Sequence, residues 1–359
     1  MKTISVDLLE KGMVINQDIY DINGILIISD GTVLKESHVE YLKYESGILD
    51  VKIKAYSDML ANDNPNTTFS DNSYNDAQVK FEAEYKGSVN RFKSLFKSAT
   101  LGGKVLYSDV EHVVGPLLSE VESGKDIAQK IWQIRQSDEY TFEHSVQVSL
   151  YAALIGSWLG MEPDELKDLS IAGLLHDIGK CNIPDEILNK PDKLTDEEFK
   201  VMRSHPTLGY VLLANTKQFN EAVLSGVLQH HERSDGSGYP NSLKGPHIHP
   251  YARIVAIADI YSAMTSDRVY RERECPFMVA GQIQEKSFGS LDPFYSKVFV
   301  SNIVQYFVGN MVKLNNGASG EIIFIEKNHP IRPLVKTDSG FVNLVKNSDL
   351  HVIDVLQQV

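Results

Sequence analysis

The sequence predicts a multidomain α+β protein. A central all-α helical bundle is flanked by a small N-terminal β-rich module and a small C-terminal β-barrel-like module. Three observations support this fold class. The chain has 359 residues, more than the usual size of one domain. Short β-prone runs are confined to its two ends, and apolar residues at helical spacing fill the region between them.

Five segments follow from the pattern along the chain. β-prone runs separated by turn residues predict the N-terminal module. A polar stretch that buries too little apolar area to order itself predicts a flexible linker. Two amphipathic helices then precede the bundle, and strands joined by glycine-containing turns end the chain. The predicted segments are the β-rich module 1–56, the linker 57–76, coupling or dimerisation helices 77–135, the bundle 136–308 and the C-terminal module 309–359.

The composition restricts both partners and location. Lysine and arginine number 35 against 48 aspartates and glutamates, which gives a net charge of −13. This balance argues against a nucleic-acid polymer as partner, but it allows a small phosphorylated ligand in a local pocket. The two cysteines indicate a reducing compartment rather than a disulfide framework. No secretory signal and no apolar run of about 20 residues is evident, so we predict a cytoplasmic protein without membrane insertion.

Imidazole and carboxylate side chains recur through the predicted bundle, each at the end or in the middle of a separate apolar helix. They are His144, His176, Asp177, His205, His230, His231 and Asp259. A single buried histidine is more often a hydrogen-bonded core residue than a ligand. Facing helices can nevertheless bring such a set together, and buried carboxylates without a cation are costly. The set as a whole therefore predicts a metal centre.

The same residues divide between two predicted ions. Asp177 is suited to bridge them, because a carboxylate has two oxygens. We expect the remaining ligands to be His144, His176 and Asp259 at the first ion and His205, His230 and His231 at the second. Mixed nitrogen and oxygen ligation favours iron or manganese over calcium. Two such ions close together can activate water for attack at phosphorus, so we predict a phosphodiesterase.

Two motifs give this prediction a family. Leu-Leu-His-Asp-Ile-Gly-Lys at 174–180 and His-His-Glu-Arg-Ser-Asp-Gly-Ser-Gly-Tyr-Pro at 230–240 resemble the HD-GYP family of HD metal-dependent phosphohydrolases. The resemblance covers about 136–307 and includes the segments 138–146, 257–259 and 266–271. It implies an HD-type bundle that hydrolyses cyclic di-GMP, a bacterial second messenger. The product would be linear pGpG and, in some members, GMP.

The resemblance also implies roles for individual residues. Asp177 and Lys180 would be catalytic, with Lys180 near the scissile phosphate or the leaving oxygen. The implied substrate contacts are Lys180, Gly238, Tyr239, Pro240, Arg268, Tyr270 and Arg271. Arg268 and Arg271 lie three residues apart, so one helical face could present both to the second phosphate. The restricted loop around Tyr239 would present that ring to a guanine or a ribose.

Two positions depart from the family pattern. Members with a third metal carry a glutamate four residues before the first histidine, and Tyr140 stands there instead. A phenol is a poor substitute for a bridging carboxylate, so we predict a two-metal centre and hydrolysis that tends to stop at pGpG. Val269 stands where a proline is common, which leaves the helix of the two arginines intact.

Two alternatives stay open at this point. The chain could act on another cyclic dinucleotide such as 3',3'-cyclic GMP-AMP, or it could be a non-catalytic cyclic di-GMP receptor. The expected partners are cyclic di-GMP as substrate, a second copy of the chain through 77–135, and diguanylate cyclases or other signalling proteins. Hydrolysis that depends on the metal and on Asp177 would separate an enzyme from a receptor.

Overall fold

Helices form most of the regular structure of the chain, and antiparallel strands form the rest. The computed structural model describes residues 2–20, 26–28, 30–44, 48, 50–53, 71–122, 127–134, 140–267 and 272–356. The chain divides into two compact units. Unit 1 contains Met1–Tyr74 and Phe307–Val359, and unit 2 contains Asn75–Tyr306. None of the described helices has both the length and the apolar character that crossing a bilayer requires.

The N-terminal part of unit 1 contains short antiparallel pairs around an apolar core. Strand β1 (Lys2–Ser5) pairs with β4 (Asp50–Ile53), and β2 (Ile19–Tyr20) pairs with β3 (Leu26–Ile28). The predicted helix is α1 (Glu36–Tyr44). Residues alternate between exposed and buried along β4, as expected for a strand with one face on the core. The predicted strand near 13–15 forms only isolated bridges in the described residues.

The C-terminal part of unit 1 is an antiparallel sheet with the strand order β8-β7-β6-β5-β9. Its strands are β5 (Met311–Leu314), β6 (Ser319–Phe324), β7 (Leu334–Thr337), β8 (Gly340–Asn343) and β9 (Val352–Val355). The predicted barrel is not closed in the described residues, because β8 and β9 lie at opposite edges. Closing a barrel requires strands that stay paired while they tilt, and these strands have only four to six residues.

Unit 1 joins the two segments that we predicted as separate modules. The rings of Tyr41 in α1 and Phe341 in β8 meet edge to face, with centroids 5.1 Å apart. Glu40 forms an ion pair with Lys336 of β7. His38 is buried, and its Nδ1 accepts a hydrogen bond of 3.2 Å from the Lys35 amide. Helix α1 therefore packs against the C-terminal sheet.

His38 should make the stability of unit 1 depend on pH. Burial, together with the nearby Lys35 ammonium, lowers its pKa from 6.5 to about 4. The folded pKa lies below the unfolded one, so stability is full above about pH 6.5 and falls as the pH drops towards 4. We expect a loss of about 2 kcal/mol between pH 7 and pH 5 from this group. Urea unfolding at both pH values should show a smaller loss in His38→Asn, and equal losses would contradict the assignment.

Unit 2 consists of helices. They are α2 (Asp71–Thr100), α3 (Tyr107–Glu122), α4 (Ile127–Gln133), α5 (Tyr140–Trp158), α6 (Pro163–Leu175), α7 (Asp185–Leu188), α8 (Asp196–Met202), α9 (His205–Ala214), α10 (Glu221–Gln229), α11 (Pro250–Thr265), α12 (Pro276–Lys286) and α13 (Pro293–Ile303). Helix α2 begins six residues before the predicted end of the linker. Linker residues 57–70 lie outside the described residues.

Side-chain caps fix where several of these helices begin. Thr195 and Glu198 form the predicted capping box at α8. The Asn220 side chain accepts a hydrogen bond from the Val223 amide at the start of α10. His249 caps α11, because its Nδ1 accepts a hydrogen bond from the Tyr251 amide. These caps position the ends of the helices from which the site is built.

Close approach of backbones holds the centre of unit 2 together. Helix α5 packs on α6 and α11, and α10 packs on α6, α9 and α11. A Cβ atom on Gly173 would lie 2.9 Å from the Cα of Ser149, so α6 can approach α5 this closely only with glycine there. Gly226 makes a similar approach to Ala172. The predicted ligands therefore belong to helices that pack against one another.

Candidate metal centre

The His-Asp pair lies at a turn that requires a glycine. Helix α6 ends at Leu175, and a short 3-10 helix runs from Ile178 to Asn182. A Cβ atom on Gly179 would overlap the His205 carbonyl oxygen and the Gly209 amide nitrogen. Because glycine lacks that atom, the turn lies directly on α9. This approach brings Asp177 to His205, with Oδ1 3.1 Å from Nε2.

The structure corrects the place of His205 in the sequence of helices. We predicted it at the C-terminal end of the helix that Thr195 begins. That helix, α8, ends at Met202 instead, and His205 is the first residue of α9. The reason is Pro206, which is tolerated in a first helical turn but would break a continuous helix. His205 therefore lies at a junction between two helices.

The seven predicted ligands come together as two groups. His144, His176 and Asp259 form the first group, and Asp177, His205, His230 and His231 form the second. Within each group the ligand atoms lie within 4.8 Å of one another. Asp177 contacts both groups, because its Oδ2 lies 3.3 Å from His176 Nε2 while Oδ1 faces His205.

Backbone carbonyls orient three of these histidines. Nδ1 of His176, His205 and His230 lies 2.7–2.8 Å from a carbonyl oxygen three residues earlier in the chain. A carbonyl only accepts hydrogen bonds, so each Nδ1 donates and each neutral ring presents its Nε2 lone pair to the cluster. His176 Nε2 is buried and makes no hydrogen bond. His205 Nε2 and His230 Nε2 face each other at 3.3 Å.

Such an arrangement fits a cation. Two neutral Nε2 lone pairs at 3.3 Å repel each other, and a buried ring nitrogen without a partner is costly. Divalent ions bind imidazole nitrogen and carboxylate oxygen, and ligating histidines in metalloproteins typically donate their other N–H to a carbonyl or carboxylate. The residues present therefore have the donor atoms and the orientation that a metal centre needs.

His144 is oriented by side chains that the sequence analysis did not single out. Its Nδ1 lies 3.0 Å from Ser262 Oγ, and Ser262 donates its proton to Gln147 Oε1 at 3.0 Å. Ser262 must then accept from His144, which leaves Nε2 of that ring for the cluster, 3.1 Å from Asp259 Oδ1. Ser266 also donates to Gln147. The available signal was the pair Ser262, inside α11, and Ser266, directly after its end.

Removing this orientation should weaken the first group specifically. We expect Ser262→Ala to lower metal affinity there about 10- to 100-fold, since the His144 tautomer loses its support. Competition with a metal-binding dye would measure the affinity of each site. Ser145→Ala is the matched control, because that buried serine neighbours His144 but donates to the Thr141 carbonyl. Equal losses in both variants would contradict the assigned role.

The electrostatics favour anionic carboxylates, and they favour neutral imidazoles at His144, His230 and His231. Burial alone would raise the pKa of Asp177, but Lys180 and His176 hold it well below its usual range. Burial lowers the pKa of His231 to about 3, and burial with the neighbouring histidines holds that of His230 well below its usual value. His176 differs, because Asp177 and Asp259 outweigh its burial and raise its pKa. Anionic carboxylates and neutral imidazoles are the forms that bind metal ions.

The loop after His231 lies beside the second group. The Tyr239 ring stacks on His231, with centroids 4.6 Å apart and planes 30° apart. The buried Glu232 carboxylate accepts backbone hydrogen bonds of 2.7 and 2.9 Å from Asn241 and Leu243. A Cβ atom on Gly238 would overlap the Glu232 backbone, so glycine is required. The predicted contacts Gly238, Tyr239 and Pro240 are therefore held next to the second group.

The structure describes some of the other predicted site residues and not others. Lys180 Nζ lies 2.5 Å from Asp177 Oδ2, the oxygen that also faces His176. Three predicted substrate contacts, Arg268, Tyr270 and Arg271, lie outside the described residues. So does the side chain of Tyr140, on which the prediction of two rather than three metals rests.

Comparison with known proteins identifies the family. A family model for the HD domain matches residues 117–293. Over 243 residues the chain is 35% identical to a cyclic di-GMP phosphodiesterase of Pseudomonas aeruginosa, covering 68% of this chain and 58% of that protein. Over 127 residues it is 45% identical to a cyclic di-GMP phosphodiesterase response regulator of Xanthomonas campestris, covering 35% and 34%. The chain belongs to the HD-GYP family.

Two further similarities bear on fold and on family range. A 3'3'-cGAMP-specific phosphodiesterase of Vibrio cholerae is 38% identical over 171 residues, covering 47% of this chain and 39% of that one. The solved structure of an HDG"Y"P protein from Bdellovibrio bacteriovorus has a TM-score of 0.52 at 19% identity, covering 83% and 97%. The predicted family is thus confirmed, and so is the helical HD-type fold of the bundle, whereas the N-terminal β-rich module and the C-terminal barrel-like module are not. This chain spans only 34–58% of the length of the three relatives compared by sequence.

Proposed function

We propose that this HD-GYP chain hydrolyses cyclic di-GMP to linear pGpG at a centre of two divalent transition-metal ions, iron or manganese. One observation carries the proposal. His205 Nε2 and His230 Nε2 lie 3.3 Å apart, beside the anionic Asp177 and next to the first ligand group, while Nδ1 of each ring faces a backbone carbonyl. An HD domain implies divalent metal binding, and this cluster is where the chain supplies the donors.

Each ligand has a defined place in this proposal. His144, His176 and Asp259 would hold the first ion, His205, His230 and His231 would hold the second, and Asp177 lies between the two groups as their shared ligand. When bound, such ions supply Lewis acidity at the scissile phosphate and lower the pKa of water. Iron and manganese suit this mixed set of nitrogen and oxygen donors.

The remaining roles belong to side chains around the cluster. Lys180 is catalytic, because its ammonium lies against Asp177 and can donate to the scissile phosphate or to the leaving oxygen. Tyr239, positioned by Gly238 and Pro240, offers its ring to a guanine or a ribose. On the basis of the family resemblance, Arg268 and Arg271 contact the second phosphate in this proposal, and Tyr270 beside them is a further substrate contact. Tyr140 in place of a glutamate supports two metals and a reaction that stops at pGpG.

A side-by-side assay tests the function and its alternatives. The full chain, loaded anaerobically with iron or manganese, is given cyclic di-GMP or 3',3'-cyclic GMP-AMP, and products are separated by chromatography. We expect two ions per chain, faster turnover of cyclic di-GMP and accumulation of pGpG. Preference for the mixed dinucleotide would instead support the second candidate, which the similarity to the Vibrio cholerae enzyme favours. Binding without turnover in any metal state would identify a receptor.

Partners and location complete the proposal. Residues 77–135 would form a homodimer, because amphipathic helices ahead of the bundle can pack against a second copy. Diguanylate cyclases or other signalling proteins are the further partners we propose. A cytoplasmic location is supported by Cys181 and Cys275, which are not joined to each other by a disulfide.

A further inference from the structure

Arg203 stands apart from the other arginines of the described chain. Six arginines lie in the described residues, and five of them donate side-chain hydrogen bonds. The acceptors belong to Ser88 for Arg91, His230 for Arg233, Asp292 for Arg253, Trp132 for Arg273 and Ser348 for Arg332. The Arg203 guanidinium has neither a hydrogen-bond acceptor nor an ion-pair partner among the described residues. Its five N–H donors are available to a ligand.

The Arg203 guanidinium lies next to the candidate metal centre. Its Cζ lies 4.3 Å from the centroid of the Tyr239 ring, and His231 stacks on the same ring at 4.6 Å. Two groups at stacking distance must occupy opposite faces of that ring, so Arg203 is one aromatic ring away from a ligand of the second group. Its backbone is fixed as well, because it caps α8 and precedes His205 by two residues. The backbone of Arg203 is thus fixed by the end of α8, and its guanidinium is fixed by the Tyr239 ring.

An arginine held in this way is suited to an anion. The Tyr239 face attracts the guanidinium but satisfies none of its N–H groups. Half-buried and without an acceptor, Arg203 has lost part of its hydration without a protein replacement. A phosphate can accept two parallel N–H donors from a guanidinium while the tyrosine supports its plane. Every other described arginine has already used donors of this kind within the protein.

We infer that Arg203 binds the phosphate of the cyclic dinucleotide that is not hydrolysed. The inference rests on the proposed function, in which the metal centre engages the scissile phosphate. A cyclic dinucleotide has a second phosphate, and Arg203 supplies a donor for it beside Tyr239. This contact adds to those proposed for Arg268 and Arg271. With this contact, the stack of His231, Tyr239 and Arg203 forms part of the substrate-binding surface and does not only support the loop around Tyr239.

The test compares substrates with two phosphates and with one. Arg203→Gln, Arg203→Lys and the control Arg91→Gln are assayed as metal-loaded full chains with cyclic di-GMP and with bis(p-nitrophenyl) phosphate. Arg203→Gln should raise KM for cyclic di-GMP about 10- to 100-fold, the usual worth of a charged hydrogen bond. The value of kcat should change by less than about threefold, because the contact is the same in ground and transition states. Arg203→Lys should recover part of the lost affinity, because lysine keeps the positive charge but lacks the two parallel N–H donors of the guanidinium.

The substrate with one phosphate distinguishes phosphate binding by Arg203 from a role in which Arg203 only supports Tyr239. We expect the loss of kcat/KM towards bis(p-nitrophenyl) phosphate to be at least about ten times smaller than towards cyclic di-GMP. Equal losses, or a lower metal content in Arg203→Gln, would mean that Arg203 only supports Tyr239 and would overturn the inference. An unchanged KM for cyclic di-GMP would overturn it as well.

Failure of the proposed function would look different. If the wild-type chain binds cyclic di-GMP but hydrolyses neither substrate in any metal state, the proposed function fails. In that case Arg203→Gln should raise the Kd of cyclic di-GMP about 10- to 100-fold, which equilibrium dialysis measures. Cyclic di-AMP as a competitor checks the chemistry, because it has the same phosphates and different bases. Weakening of cyclic di-GMP alone would assign Arg203 to a base and overturn the phosphate contact.

Discussion

Asp177→Asn is expected to abolish hydrolysis and to prevent loading of both metal ions. The two Asp177 oxygens face different ligand groups, one at 3.3 Å from His176 Nε2 and the other at 3.1 Å from His205 Nε2. An amide removes the negative charge and turns one of these acceptors into a donor. The loss of several kcal/mol of Lewis-acid stabilisation corresponds to a fall in kcat/KM on the order of 10³-fold or more.

Steady-state kinetics and metal analysis on the same preparation would check this result. Asp185→Asn is the matched control, because that carboxylate is exposed at the start of α7 and belongs to neither ligand group. The control should keep two ions per chain and wild-type turnover. A preparation of Asp177→Asn with two ions and turnover within about tenfold of wild type would contradict the bridging role.

Gly179→Ala is expected to destabilise unit 2 strongly. The added Cβ atom would overlap the His205 carbonyl oxygen and the Gly209 amide nitrogen, which are backbone atoms and cannot rotate away. The turn and α9 would have to separate, and the contact between Asp177 and His205 would be lost with them. We expect the free energy of unfolding to fall by about 3 kcal/mol or more, as for severe overpacking. Urea denaturation of the full chain measures it.

Gly87→Ala is the control, and it is expected to raise the free energy of unfolding rather than lower it. Gly87 lies inside α2, and a Cβ atom there would meet only the Arg91 side chain at an ordinary 3.5 Å. Alanine should stabilise this helix by about 0.5–1 kcal/mol, because glycine costs more backbone entropy. If Gly179→Ala unfolded at the same urea concentration as wild type, the tight approach of turn and helix would not matter to stability.

The ligand residues could be predicted because each has a local signal. A histidine or aspartate inside or just after an apolar helix is recognisable from the residues around it, and helix α10 has the predicted bounds, Glu221–Gln229. Arg203 and Gln147 have no comparable signal. Their roles depend on the distance to side chains more than 30 residues away, which spacing along the chain does not encode.

The errors of prediction have the same physical origin. Turn residues indicate that Asp338-Ser339 joins two strands, but nothing in the turn shows whether the outer strands β8 and β9 meet. The helix that Thr195 begins was predicted to extend to His205, because apolar spacing continues across the junction where Pro206 begins a new helix. Local patterns give elements and turns, while closure and junctions depend on contacts between elements.

The way in which the histidines are oriented makes the two ligand groups unequal. His205 and His230 take their orientation from carbonyls of their own chain segments, so each moves as one body with its helix end. His144 in α5 depends on Ser262, and its neighbour Asp259 lies in the same helix, α11, as that serine. A small slide of α11 along α5 would therefore disturb two members of the first group together and leave the second intact. Binding of an ion at the first group would then depend on the position of α11, whereas binding at the second group would not.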